Sequence, residues 1–265
     1  MDISIIIVNY KSKGLTLNCI KSIKEADFGN LKYEIIVVDN NSEDEIEKFL
    51  SWQYPDVKFI QSGANPGVGY GNNLGAKLAQ GDYLTIANPD TIVFRDTFIK
   101  LHNYLSNNPD VGLVGPQQFN PDKTIQDSCY RWYGLFTPFY RRTFIGKYNF
   151  AKKDLARFLM SDFNKQATKP VDWLLGSFLF CRAKTLKEID LFDTSFFLYF
   201  EDTDLCRRFW EHGYKVIYYP EAKIIHNHNR DSAKVPWYYF FTNKASRAHV
   251  ISWLKYIRKW GVKLY

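Results

Sequence analysis

The first hundred residues repeat one unit: a short β-branched run, a polar turn, then apolar residues at helical spacing. Ile3 to Tyr10 is the first run and reads as a buried strand. Lys11 to Ala26 follows, with Leu15, Cys19, Ile20 and Ile23 on one helical stripe. Tyr33 to Asp39 is a second strand, and the turn Asn40-Asn41-Ser42 comes next. Ser42 is expected to N-cap a helix from Glu43 to Trp52, with Glu45 at the capping-box position. Val57 to Gln61 is a third strand, followed by a Gly/Asn-rich turn, a helix through Leu74 to Leu78 and a strand from Tyr83 to Ala87. Strands alternating with helices predict βαβ units and a mostly parallel sheet. Ligands of such sheets bind outside the carboxyl ends of the strands. Asp39, the Asn65 turn and Asp90 all fall there.

Beyond residue 90 the pattern loosens. Phe94 to Ser106 reads as a helix and Val111 to Gly115 as a strand. From Cys129 to Thr168 the chain is irregular, basic and aromatic, which predicts loops and short helices outside the sheet. Order returns at Val171 to Ser177, leading into a strand from Phe178 to Arg182. Thr203 to His212 is a helix closed by Gly213. Lys215 to Tyr219 is a strand, Ile224 to His228 a separate apolar segment, and Trp237 to Trp260 a terminal helix or helix pair. With 265 residues the chain can bury a sizeable core. The expected organisation is one domain over 1–230, divided near residue 115, and a helical tail over 231–265.

Two acidic signatures carry the chemistry. Asn88-Pro89-Asp90 ends a strand emerging from the core, where oxygen ligands suit Mg²⁺ or Mn²⁺ bridging a diphosphate. An Asx/Pro turn is the alternative reading. Glu201, Asp202 and Asp204 open a helix, where acids also complement the helix dipole. The apolar run Phe196 to Phe200 before them implies at least one semi-buried carboxylate, a better base for its desolvation. The turn from Asn65 to Asn73 either brings backbone to a diphosphate or simply starts a helix. Its spacing is not that of a dinucleotide loop. His226 and His228 alternate on an extended segment, so only one would enter a given site, as a metal ligand or a structural histidine.

Composition narrows the partners. The net charge of +7 permits anionic lipid, diphosphate or nucleic acid. No nucleic-acid motif accompanies the basic residues, so nucleic acid is not expected. Aromatic residues make up 17%, a type favoured at sugar sites and membrane surfaces. Lys234, Lys244, Arg247, Lys255, Arg258, Lys259 and Lys263 interleave with Trp237 to Phe241, Trp253 and Trp260 in the tail. That tail reads either as an anionic-membrane contact or as a helix packed on the domain with a solvated basic face. Four scattered cysteines without a CxxC pair predict reduced thiols and no zinc site. The run Ile5 to Val8 is too short for a signal peptide, and no apolar stretch would span a bilayer. A cytoplasmic protein, peripheral at the inner membrane face, is expected.

Taken in order, Ser4 to Tyr10, Val37 to Ser42, Asn65 to Gly75, Gly81 to Asp90, Asp172 to Ser177 and Phe192 to His226 resemble the family 2 glycosyltransferases of GT-A fold. Within that family the resemblance is to the WbbL-type rhamnosyltransferases of bacterial O-antigen and cell-wall assembly. It implies a Rossmann-like nucleotide-binding half with a mixed, mainly parallel sheet. It also implies roles: Asp39 reads the pyrimidine base, with Asn9 in the same pocket, and Asn65 and Asn72 contact ribose and diphosphate. Asp90 matches the second acid of the family's Asp-x-Asp motif and His226 a further metal ligand. Asn88 replaces the first acid with a weaker, neutral ligand. Asp202 matches the general base, with Glu201 the second candidate. Asp204 matches an orienting or capping residue, and Trp173 and Gly176 contact donor sugar and acceptor. The implied reaction is inverting transfer of L-rhamnose from dTDP-L-rhamnose to a polyprenyl-diphosphate-linked saccharide. A UDP-sugar donor on the same fold, or a non-catalytic scaffold, are the rival readings.

Overall fold

The structure, a computed structural model, describes residues 1–227 and 243–261. Strands form where the β-branched runs lie: β1 (Ile3–Asn9), β2 (Tyr33–Asp39), β3 (Lys58–Gln61) and β4 (Tyr83–Ala87). Between them run α1 (Lys13–Lys24), α2 (Ile46–Gln53) and α3 (Val68–Leu78). The four strands are parallel, in the order β3-β2-β1-β4. Successive residues of β1 feed opposite faces, as the two-residue strand period requires. Ile3, Ile5 and Ile7 join Cys19, Ile20 and Ile23 of α1 in one core, while Ile6 and Val8 join Ala76 of α3 in the other.

The chain continues through β5 (Thr91–Val93), α4 (Thr97–Asn107), β6 (Val111–Phe119), β7 (Ile125–Gln126) and β8 (Cys129–Tyr130). The irregular region holds α5 (Thr137–Tyr140), a 3₁₀ turn at Phe144–Lys147 and α6 (Asn149–Phe158). It lies outside the main sheet, as expected. Then come β9 (Lys169–Pro170), β10 (Trp173–Leu174), β11 (Phe178–Arg182), α7 (Ala183–Glu188), α8 (Glu201–Glu211), β12 (Lys215–His226) and α9 (Lys244–Trp260). β11 inserts antiparallel between β4 and β6, β12 runs parallel to β6, and β5 closes the path antiparallel to β12. The result is a mixed, mostly parallel α/β sheet. β8 and β10 form a separate antiparallel pair beside it.

Ser42 does not cap a helix. Its hydroxyl donates to Asp39 and accepts from Asn9 Nδ2 and from the Lys11 N–H, each at 2.9 Å. A buried carboxylate claims the hydroxyl, and α2 starts only at Ile46, after the left-handed residues Glu43 and Glu45. Lys215 to Tyr219 and Ile224 to His226 are not separate either. They form one strand with an irregularity between Tyr219 and Lys223, which Pro220 explains, since proline cannot donate to a ladder. The acidic helix starts at Glu201, two residues before the expected Thr203.

All four cysteines are buried free thiols. Among the described residues no helix is long and apolar enough to cross a membrane. α9 packs on the domain: Ser252 Oγ donates to the Leu198 carbonyl at 2.8 Å, and Tyr256 is buried with Phe196 and Phe200. His228, Lys234, Trp237 to Phe241 and Lys263 lie outside the described residues.

Candidate active site

The register of the parallel strands builds one half of the site. Asn9 lies opposite Asp39, and Asp39 opposite Gln61, so polar residues line up at the carboxyl edge. Asn9 is fully buried and donates to Asp39 Oδ1 at 2.7 Å and to Asp44 Oδ2 at 3.1 Å. The Ser42 N–H donates to Asp39 Oδ2 at 2.9 Å. Asn9 is therefore the positioner of Asp39, fixed in turn by Thr16 Oγ1 donating to its side-chain Oδ1 at 2.9 Å.

The Gly/Asn-rich segment resolves into two jobs. Gly67 adopts φ +115°, and a side chain there would sit 2.4 Å from the Phe197 carbonyl oxygen. Within α3, Gly71 and Gly75 pack against Val8 and Ile6 and let the helix lie close on the sheet. Asn65 turns back to accept from the Gly67 N–H at 3.3 Å, and Asn72, 4% exposed, faces a cavity.

That cavity, of about 660 Å³, gathers Asn72, Asn88, Trp173, Gly176, Glu201, Asp202 and His226. Asn9, Asp39, Asn65 and Asp90 do not line it, although Asp90 stands against its wall through His226. Trp173 is a wall residue stacked on Tyr130 at 4.3 Å, its indole N–H donating to the Arg131 carbonyl at 3.0 Å.

Asp202 sits in the first turn of α8. Its Oδ2 accepts from the Gly176 N–H at 2.9 Å and its Oδ1 from the Thr203 N–H at 2.7 Å. A Cβ on residue 176 would fall 2.9 Å from Asp202 Cβ, so glycine is what admits the carboxylate. Burial pushes the Asp202 carboxyl above its ordinary range, against these bonds. Glu201 beside it is pushed up to about 8 by burial and then by the Asp202 charge. Its Oε2 is shielded from solvent and carries no hydrogen bond among the described residues. Tyr199 and Phe200, both at φ +67°, turn the chain into α8. Such non-glycine conformations cost about 1–3 kcal/mol each and persist where surroundings enforce them. Here Tyr133, His249 and Tyr256 pack around Phe200. Asp204 is fully buried and structural, bound by Arg208, Lys259 and Trp260 Nε1, each at 2.8 Å.

Across the cavity His226 Nε2 faces Asp90 Oδ1 at 3.4 Å, and His226 Nδ1 faces Gln126 Oε1 at 2.7 Å. With the proton on Nδ1, Nε2 directs its lone pair at a carboxylate. Two electron-pair donors so placed suit a cation between them, and the Gln126 carbonyl orients the imidazole as outer partners of metal ligands do. Among the described residues no group of three or more His, Cys, Asp or Glu is placed to hold a metal. A divalent ion held by the Asp90 carboxylate, with substrate phosphate and water, is ordinary for Mg²⁺ or Mn²⁺, and His226 adds a nitrogen donor beside it, so the residues fit the group.

The Glycosyl transferase family 2 profile matches residues 4–164, more than half the chain. The chain belongs to glycosyl transferase family 2. The rhamnosyltransferase WbbL of Escherichia coli K12 is 25% identical over 236 residues, covering 86% of this chain and 83% of that protein. The N-acetylglucosaminyl-diphospho-decaprenol L-rhamnosyltransferase of Mycobacterium tuberculosis is 25% identical over 224 residues, covering 76% and 69%. Among solved structures, the mannosyltransferase PcManGT of Pyrobaculum calidifontis, in complex with GDP-Man and Mn²⁺, superposes with a TM-score of 0.62 at 20% identity. That match covers 97% of this chain but 64% of the other, so this chain spans less than two thirds of the solved transferase. The shared fold is GT-A.

Several residues of this family 2 glycosyltransferase escaped the sequence reading. Gln126 was hidden because its partner His226 is a hundred residues away. Tyr133, Arg141, Arg142 and His249 line the cavity from the irregular region and α9. Their only sequence signal was the basic, aromatic composition of those segments.

Proposed function

We propose that this enzyme transfers L-rhamnose from dTDP-L-rhamnose, with inversion, to a hydroxyl of a polyprenyl-diphosphate-linked saccharide in bacterial cell-surface polysaccharide synthesis. The observation carrying this reading is the pair of half-buried Glu201 and buried Asp202 lining a cavity that Asn88 and His226 also line, with Asp90 beside His226. The L-rhamnosyltransferase relatives support the choice of sugar. Asp39, locked by Asn9 and Ser42, accepts from the base of the nucleotide, and Asn65 and Asn72 contact ribose and diphosphate. Trp173 and Gly176 border the donor sugar and acceptor.

Asp202 is the general base. Its Gly176 and Thr203 hydrogen bonds fix the carboxylate, and burial raises its proton affinity toward that of an effective base. It removes the acceptor hydroxyl proton as that oxygen bonds to the anomeric carbon. The bond from that carbon to the diphosphate oxygen breaks, and the electron pair leaves with dTDP. Glu201, protonated near neutral pH, keeps a second negative charge away from the base. Asp90 and His226 would hold Mg²⁺ or Mn²⁺, which supplies Lewis-acid stabilisation of charge on the diphosphate. The enzyme acts at the cytoplasmic face of an anionic membrane. Support for that contact is the outer side of α9, where exposed Ile251 and Leu254 lie among Arg247, Lys255 and Arg258.

The test is a donor screen. Purified protein meets dTDP-rhamnose and UDP-sugars with Mg²⁺ or Mn²⁺, and nucleoside diphosphate release and thermal shift are recorded with and without EDTA. A response selective for dTDP-rhamnose and lost in EDTA is expected. Selectivity for a UDP-sugar would overturn the donor and keep the fold.

A further inference from the structure

The irregular region sorts its aromatic rings. Tyr130, Tyr133 and Phe158 turn inward and pack with Trp173. Phe136, Phe139, Phe144, Tyr148 and Phe150 turn outward and are 47% to 63% exposed. Fifteen large hydrophobic side chains are exposed among the described residues, and these five crowd into residues 136–150. Most of them form one surface through Tyr140, whose ring lies 6.0 Å from Phe136, 6.4 Å from Phe139 and 5.7 Å from Phe150. Phe150 in turn stacks on Tyr148 at 6.1 Å. Singly exposed rings need no explanation, but a contiguous exposed patch marks a surface with a partner.

The platform beneath the rings is tied together. Asp154 of α6 accepts from Thr137 Oγ1 of α5 and pairs with Arg157 at 3.1 Å. The Thr137 hydroxyl accepts from the Gly134 N–H at 2.9 Å. Gly146 of the 3₁₀ turn lies against α5, where a Cβ would fall 2.3 Å from the Tyr140 carbonyl oxygen.

Charge selects the partner. Residues 136–153 hold Arg141, Arg142, Lys147, Lys152 and Lys153 and no acid, and the three lysines are exposed. The first acid after them, Asp154, is already bound within the platform. A second copy of the chain meeting this face with its own would set like charges against one another. An anionic bilayer suits both components, since aromatic rings settle at the headgroup boundary and lysines are drawn to lipid phosphates. The same stretch also lines the cavity through Tyr140, Thr143 and Gly146.

We propose that residues 136–153 form a membrane-inserting surface, additional to the outer side of α9, that seats this wall of the cavity on an anionic bilayer. The inference rests on the membrane-bound action of the proposed function and adds to it the place where the cavity meets lipid.

The test measures binding of the full chain to phosphatidylcholine vesicles with and without phosphatidylglycerol. Three variants accompany wild type: F144S/F150S, K147Q/K152Q/K153Q and, on α9, I251S/L254S. Losing two inserted rings should weaken binding at least about tenfold, with an unchanged thermal midpoint. Losing three lysines should weaken binding to the anionic vesicles about a hundredfold and leave the neutral ones unaffected. Wild-type binding by F144S/F150S, with loss confined to I251S/L254S, would overturn the surface and leave the membrane contact to α9. Failure of wild type to bind either vesicle would overturn it as well. So would self-association of wild type that F144S/F150S abolishes, which would give the face to a second copy. Transfer supplies a further readout. F144S/F150S should lose activity on a lipid-linked acceptor embedded in vesicles and keep it on a water-soluble one; equal losses would contradict the surface. Ring-dependent vesicle binding without transfer to any lipid-linked acceptor would uphold the surface and refute the proposed transfer.

Discussion

Asp39 and Asp202 are both buried carboxylates, 2% and 8% exposed, yet the molecule holds them in opposite ways. Asp39 is fixed by neighbours that strand pairing delivers at once: Asn9 across the β1–β2 ladder and Ser42 three residues on. Asp202 hangs from a strained turn, and its supports come from across the chain. Gly176 contributes an N–H, the irregular region contributes Tyr133, and α9 contributes His249 and Tyr256. The lesson is that the half assigned to the nucleotide is locally self-sufficient, whereas the half assigned to the chemistry exists only when distant segments dock. Binding and chemistry should therefore fail separately.

Tyr256→Ala should give the largest effect on folding. It empties a buried ring site beside Phe200 and removes a partner of Arg207, costing about 3 kcal/mol of stability. Hydrogen exchange should rise around residues 196–205 and stay slow in β1 and β2; uniform loosening would break the contrast. Gly176→Ala comes next. The added methyl displaces the Asp202 carboxylate, and such misplacement is expected to lower transfer about a hundredfold with donor affinity retained. Steady-state kinetics with a donor-binding titration reads both quantities. Asp39→Asn exchanges an acceptor for a donor at the base-reading position. It should raise donor KM about tenfold, the scale of one charged hydrogen bond, with kcat little changed. A kcat collapse there would blur the two halves into one.

A separate effect is on stability against pH. Folding raises the Glu201 carboxyl from 4.5 to about 8. Between those values the folded state binds the proton that the unfolded state has released, so stability is highest at the acid end and falls as pH rises through the window. Glu201→Gln, which keeps the neutral shape, should flatten that decline of Tm with pH. An unchanged slope would mean that Glu201 is not the titrating group.

The same contrast explains what the sequence could tell. Strands β1 to β4 and the edge carrying Asp39 and Asp90 were legible because period, turn chemistry and parallel topology are local signals. The capping expectation at Ser42 failed because the competing acceptor, Asp39, is buried by tertiary structure that helix propensity does not report. β12 read as two pieces because Pro220 interrupts a ladder that a neighbouring strand keeps continuous. The place of His249 in the cavity wall stayed hidden because it comes from α9 and meets residues 140–142 only by packing. Asp204 shows the reverse: an acidic run looks uniform in sequence, yet one acid is clamped by Lys259 and Trp260 while Asp202 faces the cavity.

The most direct test of the account is Asp202→Asn, assayed for rhamnosyl transfer and, in the same preparation, for dTDP-rhamnose affinity. Loss of the base predicts transfer reduced about a thousandfold, with donor affinity close to wild type. Near-normal transfer, or a matching collapse of donor binding, would contradict the assignment of Asp202 to the chemistry.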